Sequence, residues 1–511
     1  MTNEGAELSE AAEVDVEIAN RDHLGDANKR VAASTVSLVA SNITVGLLGL
    51  LTLHVLTNRL GKPSYGVLVS VFAFISATLL FADLGINTFS GREIARRREE
   101  PSVILSQNLG LRLVMSALMM PAIILLGIAF PHSETARVEG IALCAFAIPC
   151  EAVRSVSLSF YVATIQNYKS ALIGLFSQVI YVAGAITAVY LGFSVVGCFA
   201  AWDLSMLVTA ATAYLMVRRS VHFVPRFHPK LWAGIVKQSF GVGAIQIVNL
   251  LYLRMNTNLL TALTAHHVYS TVAQYGVAAS FVTNLLAIPN AFMLSMLPVL
   301  VAAPLANLTG LVNRAAVIMA ITGTLAVVGT TCLASDLVKV VVGKSYLGAI
   351  PTLEILNVSV LFTCLTAVFT YSSFARDHHR RLLLVSTAGL FANVGLDFLL
   401  IPSMGARGAA ISTVGVEFAL LIGTYLMFRN RVGNHFTAWF KIARIFLAGG
   451  ASYFVSRVVL DAVAPPGRSQ LLIGLALVPL AFAAAAVAFR CLPDGLSVSR
   501  LLRSGKSALH L

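Results

Sequence analysis

The chain has 511 residues, 57% of them hydrophobic and only 12% charged, with a net charge of +13 and a mean hydropathy of +0.83. Soluble domains are about 45–50% apolar and about 25% charged, so an ordinary soluble protein is excluded. Nucleic acid is not the expected partner of the basic excess, because Lys and Arg sit in short loops between apolar segments, where they act as a topology signal.

Residues 1–33 differ from the rest: eight acids, from Glu4 to Asp26, stand against Arg21, Lys29 and Arg30. This reads as a disordered acidic cytoplasmic tail. It lacks the basic start and apolar run of a signal peptide, so the first membrane segment is expected to remain as an uncleaved anchor. A bilayer core of about 30 Å takes about 20 apolar helical residues. Six such segments follow in the region 34–217, at 34–58, 64–89, 104–130, 140–163, 170–191 and 195–217. A basic cytoplasmic linker, 218–237, leads to six more in 238–430, at 238–262, 273–300, 315–341, 350–375, 382–402 and 407–428. An additional pair, 441–461 and 470–490, lies within 431–490, and residues 491–511 form a basic cytoplasmic tail. The runs are too long, and alternate too little, for a membrane β-barrel. The expected fold is therefore an all-α polytopic membrane protein of about fourteen transmembrane helices.

With the N-terminal tail placed in the cytoplasm, 25 of the 36 Lys and Arg fall on the cytoplasmic side and six on the other. That asymmetry predicts a multi-pass protein of a cytoplasmic membrane with both termini inside, and an even number of spans. Arg137 is one of the six assigned to the outer side. No connection is long enough to house a catalytic domain, which argues against an enzyme.

A duplication runs through the chain. Tyr65-Gly66-Val67 recurs 210 residues later as Tyr275-Gly276-Val277, and Tyr214-Leu215-Met216 recurs 211 later as Tyr425-Leu426-Met427. Gly184 and Gly197 fall on Gly395 and Gly408 at the same spacing. Six spans per copy give both copies one orientation, hence two parallel repeats, an arrangement used by transporters that rock one half against the other.

Charges inside a membrane are functional or paired. Arg254 lies in the seventh span among Gln246, Asn249, Asn256 and Asn258. Arg254 and Asn258 are i,i+4 neighbours, and Asn249 and Asn256 are i,i+7. This polar surface faces a water-filled cavity, where arginine can grip a phosphate bidentately, or it pairs with other helices. Glu151 and Arg154 are spaced for an internal salt bridge, with Arg154 the second candidate for an anion. Arg112 is expected to snorkel to the surface. Asp83, Asp397 and Glu417 are candidates to take a proton or Na⁺; Asp203 and Glu354 read as solvated helix-end acids, and Asp336 and Lys339 as a surface pair. The six cysteines form no CxxC pair and read as small apolar residues. His378 and His379 sit in a basic turn, with no metal site expected. No GxxxxGK[ST] run exists, so neither ATP hydrolysis nor any cofactor is expected.

Asn58-Arg59-Leu60-Gly61, Tyr65-Gly66 and Ala82-Asp83-Leu84-Gly85 resemble the opening helix pair of polysaccharide flippases of the Wzx type. Val342-Gly343-Lys344-Ser345-Tyr346 with Ala349, and Asn393, Ile401-Pro402, Gly405, Gly408-Ala409-Ala410 and Glu417, resemble later segments of the same proteins. The likeness spans roughly residues 33–430 and covers the multidrug/oligosaccharidyl-lipid/polysaccharide exporter superfamily. It implies the flipping of an undecaprenyl-diphosphate-linked oligosaccharide to the outer leaflet for exopolysaccharide, capsule or O-antigen. It also implies basic residues in a central cavity, with Arg254 the best match and Arg154 the second. Bilayer lipid and that substrate are the expected partners, and partnership with a polysaccharide polymerase or glycosyltransferases is open. The alternatives are a multidrug cation antiporter of the same superfamily, which needs an acidic cavity, and a membrane glycosyltransferase or polymerase, which needs a long loop bearing paired acids.

Overall fold

The computed structural model describes residue 41 and residues 44–96, 100–131, 134–164, 166–376, 379–432, 436–463 and 467–491. The acidic tail 1–33, the basic tail beyond Cys491, and His378 lie outside the described residues. All regular structure among the described residues is helical. In chain order it comprises α1 (Thr44–Leu60), α2 (Lys62–Asp83), α3 (Ile86–Arg96), α4 (Pro101–Ala129), α5 (Thr135–Ala145), α6 (Ala147–Ala163), α7 (Asn167–Tyr190) and α8 (Val195–Arg218). These are followed by α9 (Pro229–Leu263), α10 (Val268–Ala302), α11 (Leu305–Leu337), α12 (Ile350–Phe374), α13 (His379–Met404), α14 (Ala406–Val432), α15 (Trp439–Val463) and α16 (Arg468–Ala488).

Twelve helical spans among the described residues are long and apolar enough to cross a membrane. The chain is a multi-pass all-α membrane protein. The two remaining expected spans fall on α1 and α9. The described part of α1 is shorter than a full crossing, and α9, although 35 residues long, carries Lys230, Lys237 and Arg254 among its apolar residues.

Local chemistry breaks two expected spans. The second divides at Leu84-Gly85, where both residues have positive φ, 44° and 77°. Glycine adopts that region freely and leucine does not. The chain turns there, and Asp83 accepts the N–H of Asn87 at 3.4 Å as α3 restarts. The fourth span bends at Phe146, between α5 and α6, three residues before Pro149. Proline lacks an N–H and fits a first helical turn without losing a helical hydrogen bond, and here it falls in the first turn of α6. Gly405 supplies the positive φ, 56°, that lets α13 turn directly into α14.

The packing of the two halves follows one scheme. In the first, α8 packs on both α6 and α7; in the second, α14 packs on both α12 and α13. The halves meet where α2 lies against α9 and α10, and α3 against α9. The repeated Tyr-Gly-Val motif sits in this seam. A Cβ on Gly66 would come 1.8 Å from the Tyr269 carbonyl oxygen, and one on Gly276 would come 2.8 Å from the Val69 side chain. At the other end of α2, a Cβ on Gly85 would lie 2.5 Å from the Gly243 backbone nitrogen. Backbones therefore touch at both ends, where only glycine leaves room, and one apolar cluster runs across both halves. The pair α15 and α16 packs on α11, through Val328, Leu333, Leu460 and Val478.

Candidate functional site

Between the glycine contacts at the two ends of α2 lies a cavity of about 340 Å³, walled by α1, α2, α7, α9 and α10. Among the described residues Arg254 is the single charged one lining it, and no carboxylate does so. The side chain is exposed to this space, and no carboxylate among the described residues pairs with it. Around it stand Thr257, one turn along α9, Gln178 and Tyr181 of α7, and Ser280 and Asn284 of α10. The lining thus offers one permanent cation, neutral hydrogen-bonding groups and aromatic faces, which suits an anionic group joined to polar rings.

A second cavity, about 360 Å³, lies between α1, α10, α11 and α16 and is almost wholly apolar. Asn284 lines both cavities. A chamber that holds a cation and hydrogen-bonding groups therefore adjoins an almost wholly apolar one.

The other polar residues of α9 point elsewhere. Asn256 is buried and donates to the Tyr275 hydroxyl at 3.2 Å and the Thr413 hydroxyl at 2.5 Å, tying α9 to α10 and α14. Asn258 is buried and donates to the carbonyls of Arg254, at 3.1 Å, and Ala73, at 3.4 Å. Neither lines the cavity. The backbone of Asn249 lies in α9, with its side chain outside what the structure describes. Sequence spacing grouped these residues as one polar surface, and it had no way to tell a cavity face from a helix contact.

Arg154 sits away from the cavity, in a bidentate pair with Glu151 at 2.7 and 2.8 Å. Arg112 does not snorkel. Its side chain is 3% exposed, pairs with Asp83 at 3.3 Å and hydrogen-bonds Ser155. Asp83 is engaged by this pair and by the start of α3. Ser155 is one residue along α6 from Arg154, so the four charges form a compact, neutral network in the first half. Asp336 is buried and accepts the N–H of Gly467 at 3.0 Å instead of standing as a surface partner of Lys339.

In the second half Asp397 is buried and accepts a hydrogen bond from the Ser412 hydroxyl, while its other oxygen has no partner. Asn393, one turn before it, also reaches Ser412, at 3.4 Å. Glu417 is buried and accepts the Tyr252 hydroxyl at 3.0 Å. The cavity residues that sequence reasoning missed, Gln178, Tyr181 and Asn284, carry no charge and no motif; only their fold neighbours mark them. Tyr65 was signalled by the repeat but not as a lining residue.

Residues 31–303 match the family model described as polysaccharide biosynthesis protein. By sequence, no curated protein matches the chain. Among solved structures, the lipid II flippase MurJ in an inward closed conformation is similar with a TM-score of 0.72 at 12% identity, over 89% of this chain and 99% of that one. An inward-facing multidrug resistance MATE transporter gives 0.63 at 20% identity, over 78% and 98%. A MOP superfamily transporter from Pyrococcus furiosus gives 0.53 at 18% identity, over 79% and 95%. At such identities the likeness establishes the fold. With more than half of its length matched by the family model, the chain belongs to the polysaccharide biosynthesis protein family and carries the fold of the multidrug/oligosaccharidyl-lipid/polysaccharide exporter superfamily.

Proposed function

We propose that the protein is a flippase that moves an undecaprenyl-diphosphate-linked oligosaccharide from the cytoplasmic to the outer leaflet of a bacterial cytoplasmic membrane, for surface polysaccharide synthesis. The observation that carries this reading is Arg254: a guanidinium that no carboxylate among the described residues pairs with, in a cavity that none of them lines, beside an apolar chamber. A cation there is stabilised by an anionic ligand, and the paired chambers suit a polar head joined to a hydrocarbon tail. The same lining disfavours a cationic drug as cargo, since it offers no acid to bind one.

The cavity is at the small end of ligand pockets, which run from about 300 to 1,000 Å³. An oligosaccharide fits only if the halves, 34–217 and 238–430, separate at one end and then the other. The seams of α2 with α9 and α10 are the surfaces that part. The protein acts as a transporter and not as a catalyst, with both termini on the cytoplasmic side. Polymerases or glycosyltransferases act on what it delivers.

Asp397 is our candidate for ion coupling. Its free oxygen, and the unpartnered side-chain oxygens of Asn393 and Asn256, are buried polar groups without a donor or cation. A proton or Na⁺ on Asp397 satisfies this need. Glu417, held by Tyr252, is the second candidate.

Deleting the gene in its host and complementing with native chain or with Arg254→Ala, at equal membrane expression, tests the reading. Loss of surface polysaccharide with accumulation of precursor in the inner leaflet, rescued by the native chain alone, is the expected result. Unchanged polysaccharide with heightened sensitivity to cationic drugs sinks the flippase reading in favour of the antiporter.

A further inference from the structure

Arg137 plays no part in the polar cavity, and its charge counted it among the loop residues of the cation-poor end. It is instead fully buried, with 0% exposure, in the first turn of α5. Its Nε donates to the Ser70 hydroxyl at 3.1 Å and a terminal nitrogen donates to the Gly127 carbonyl at 3.4 Å. The guanidinium lies over the rings of Phe130 and Phe74, at 4.5 and 5.4 Å. Its other terminal nitrogen is buried with no partner, and among the described residues no carboxylate pairs with it. A buried cation without a counter-ion is costly. Two hydrogen bonds and two ring faces offset only part of that cost.

Its position gives the cost a use. The Ser70 hydroxyl that holds Arg137 lies 3.2 Å from the hydroxyl of Thr261, across the seam between α2 and α9. Thr261 continues the stripe of α9 that bears Arg254 and Thr257, at i, i+3 and i+7, about 10 Å further along the helix. Arg137 therefore stands at the cation-poor end of the line that starts at Arg254, beyond the hydroxyls of Thr257, Thr261 and Ser70. Gly66 against Tyr269 closes the same end. Parting α2 from α9 and α10 breaks both contacts and uncovers the side of Arg137 that Ser70 now holds.

We propose that Arg137 is a second anion station, sealed in this conformation, that receives the diphosphate of the substrate when the halves open at the cation-poor end. The proposal rests on the flippase reading. Two guanidinium stations in series let the anion leave Arg254 without entering hydrocarbon unaccompanied.

The test uses the full chain in nanodiscs with undecaprenyl diphosphate as the binding probe, and in proteoliposomes with a fluorescent undecaprenyl-diphosphate-linked oligosaccharide for flipping. Arg137→Gln and Arg137→Lys are compared with the native residue, each with and without Gly66→Ala. The added methyl has no room against Tyr269 and wedges the seam, which faster hydrogen exchange over residues 65–74 reports. With Gly66 intact, Arg137→Gln is expected to leave binding unchanged, because Arg254 holds the probe. In the wedged chain it is expected to weaken binding roughly ten- to hundredfold, the worth of charge-assisted hydrogen bonds, with Lys restoring part of the loss. Equal binding by Gln and Arg in the wedged chain overturns the station. So does an equal loss in both backgrounds that Lys does not rescue, which marks Arg137 as a structural pin. If the wedge prevents folding, flipping rates decide: Lys at least tenfold faster than Gln supports the station, and equal rates overturn it. A native chain that neither binds nor flips overturns both readings. A native chain that flips, fails with Arg254→Ala and is indifferent to Arg137→Gln overturns the station alone.

Discussion

Arg254 and Arg112 carry the same guanidinium, and their surroundings give them opposite work. Arg112 is sealed against Asp83 and Ser155, whereas Arg254 opens into the cavity with no acid beside it. Removing one member of a buried pair strands the other charge, at about 3–5 kcal/mol. Arg112→Ala is therefore expected to lower the thermal midpoint in detergent sharply, while Arg112→Gln combined with Asp83→Asn recovers most of it. Arg254→Ala is expected to leave that midpoint nearly unchanged while transport falls. Equal destabilisation by the two single alanine variants contradicts this division. Asn256→Ala removes two buried hydrogen bonds between helices, each worth about 1 kcal/mol or less in membranes, so a modest loss of stability with substrate affinity intact is expected. Thermal unfolding and binding of the lipid-linked substrate check it together. For Asp397→Asn, the transport rate is expected to lose its dependence on an imposed H⁺ or Na⁺ gradient. Retained dependence removes the coupling role from this residue. The sequence singled out Arg254 and Asp397 because charge in an apolar run is conspicuous. It mislaid Arg112 and Arg137, because length of side chain and nearness to a helix end do not reveal whether a partner or a ring face waits inside.

At the scale of elements, the helices were legible and their interruptions less so. Apolar run length marks a span directly, since the bilayer sets it. The break at Leu84-Gly85 left no such mark, because a positive φ does not alter hydropathy; the glycine was visible only within the Ala82–Gly85 motif. That break has mechanical use. It brings the end of α2 and the start of α3 onto Gly243 of α9, backbone to backbone. Gly85→Ala strains a residue at φ 77° and drives a methyl into Gly243. It is expected to hold this end of the seam apart, seen as faster hydrogen exchange across residues 239–247. Unchanged exchange means that the contact is incidental to closure. The Tyr-Gly-Val repeat was read as a sign of duplication, and in the structure both copies also supply the glycines of the α2–α10 contact. Duplication and interface are thus written in the same residues, which no spacing argument distinguishes.

At the scale of the whole molecule, the charge asymmetry and the even span count make one joint claim: both ends of the chain face the cytoplasm. A fluorescent reporter fused to either terminus is expected to light up and a periplasm-dependent phosphatase at either terminus to stay silent. The opposite pattern at one end breaks the count of fourteen. The two halves have matching helix pairings and touch backbone to backbone at both ends of α2, with Arg254 in the cavity between these contacts. The cavity itself was beyond the sequence, because its walls come from five helices whose lining residues are mostly neutral and spread from Gly49 to Asn284. In the proposed cycle Arg254 carries the diphosphate of a lipid-linked oligosaccharide through the bilayer. Reconstituting the purified native chain and Arg254→Ala in proteoliposomes, and following a fluorescent undecaprenyl-diphosphate-linked oligosaccharide from one leaflet to the other, tests it most directly. Fast transfer by the native chain and a loss of at least tenfold in the variant is the result expected, whereas equal transfer by both, or none by either, contradicts the claim.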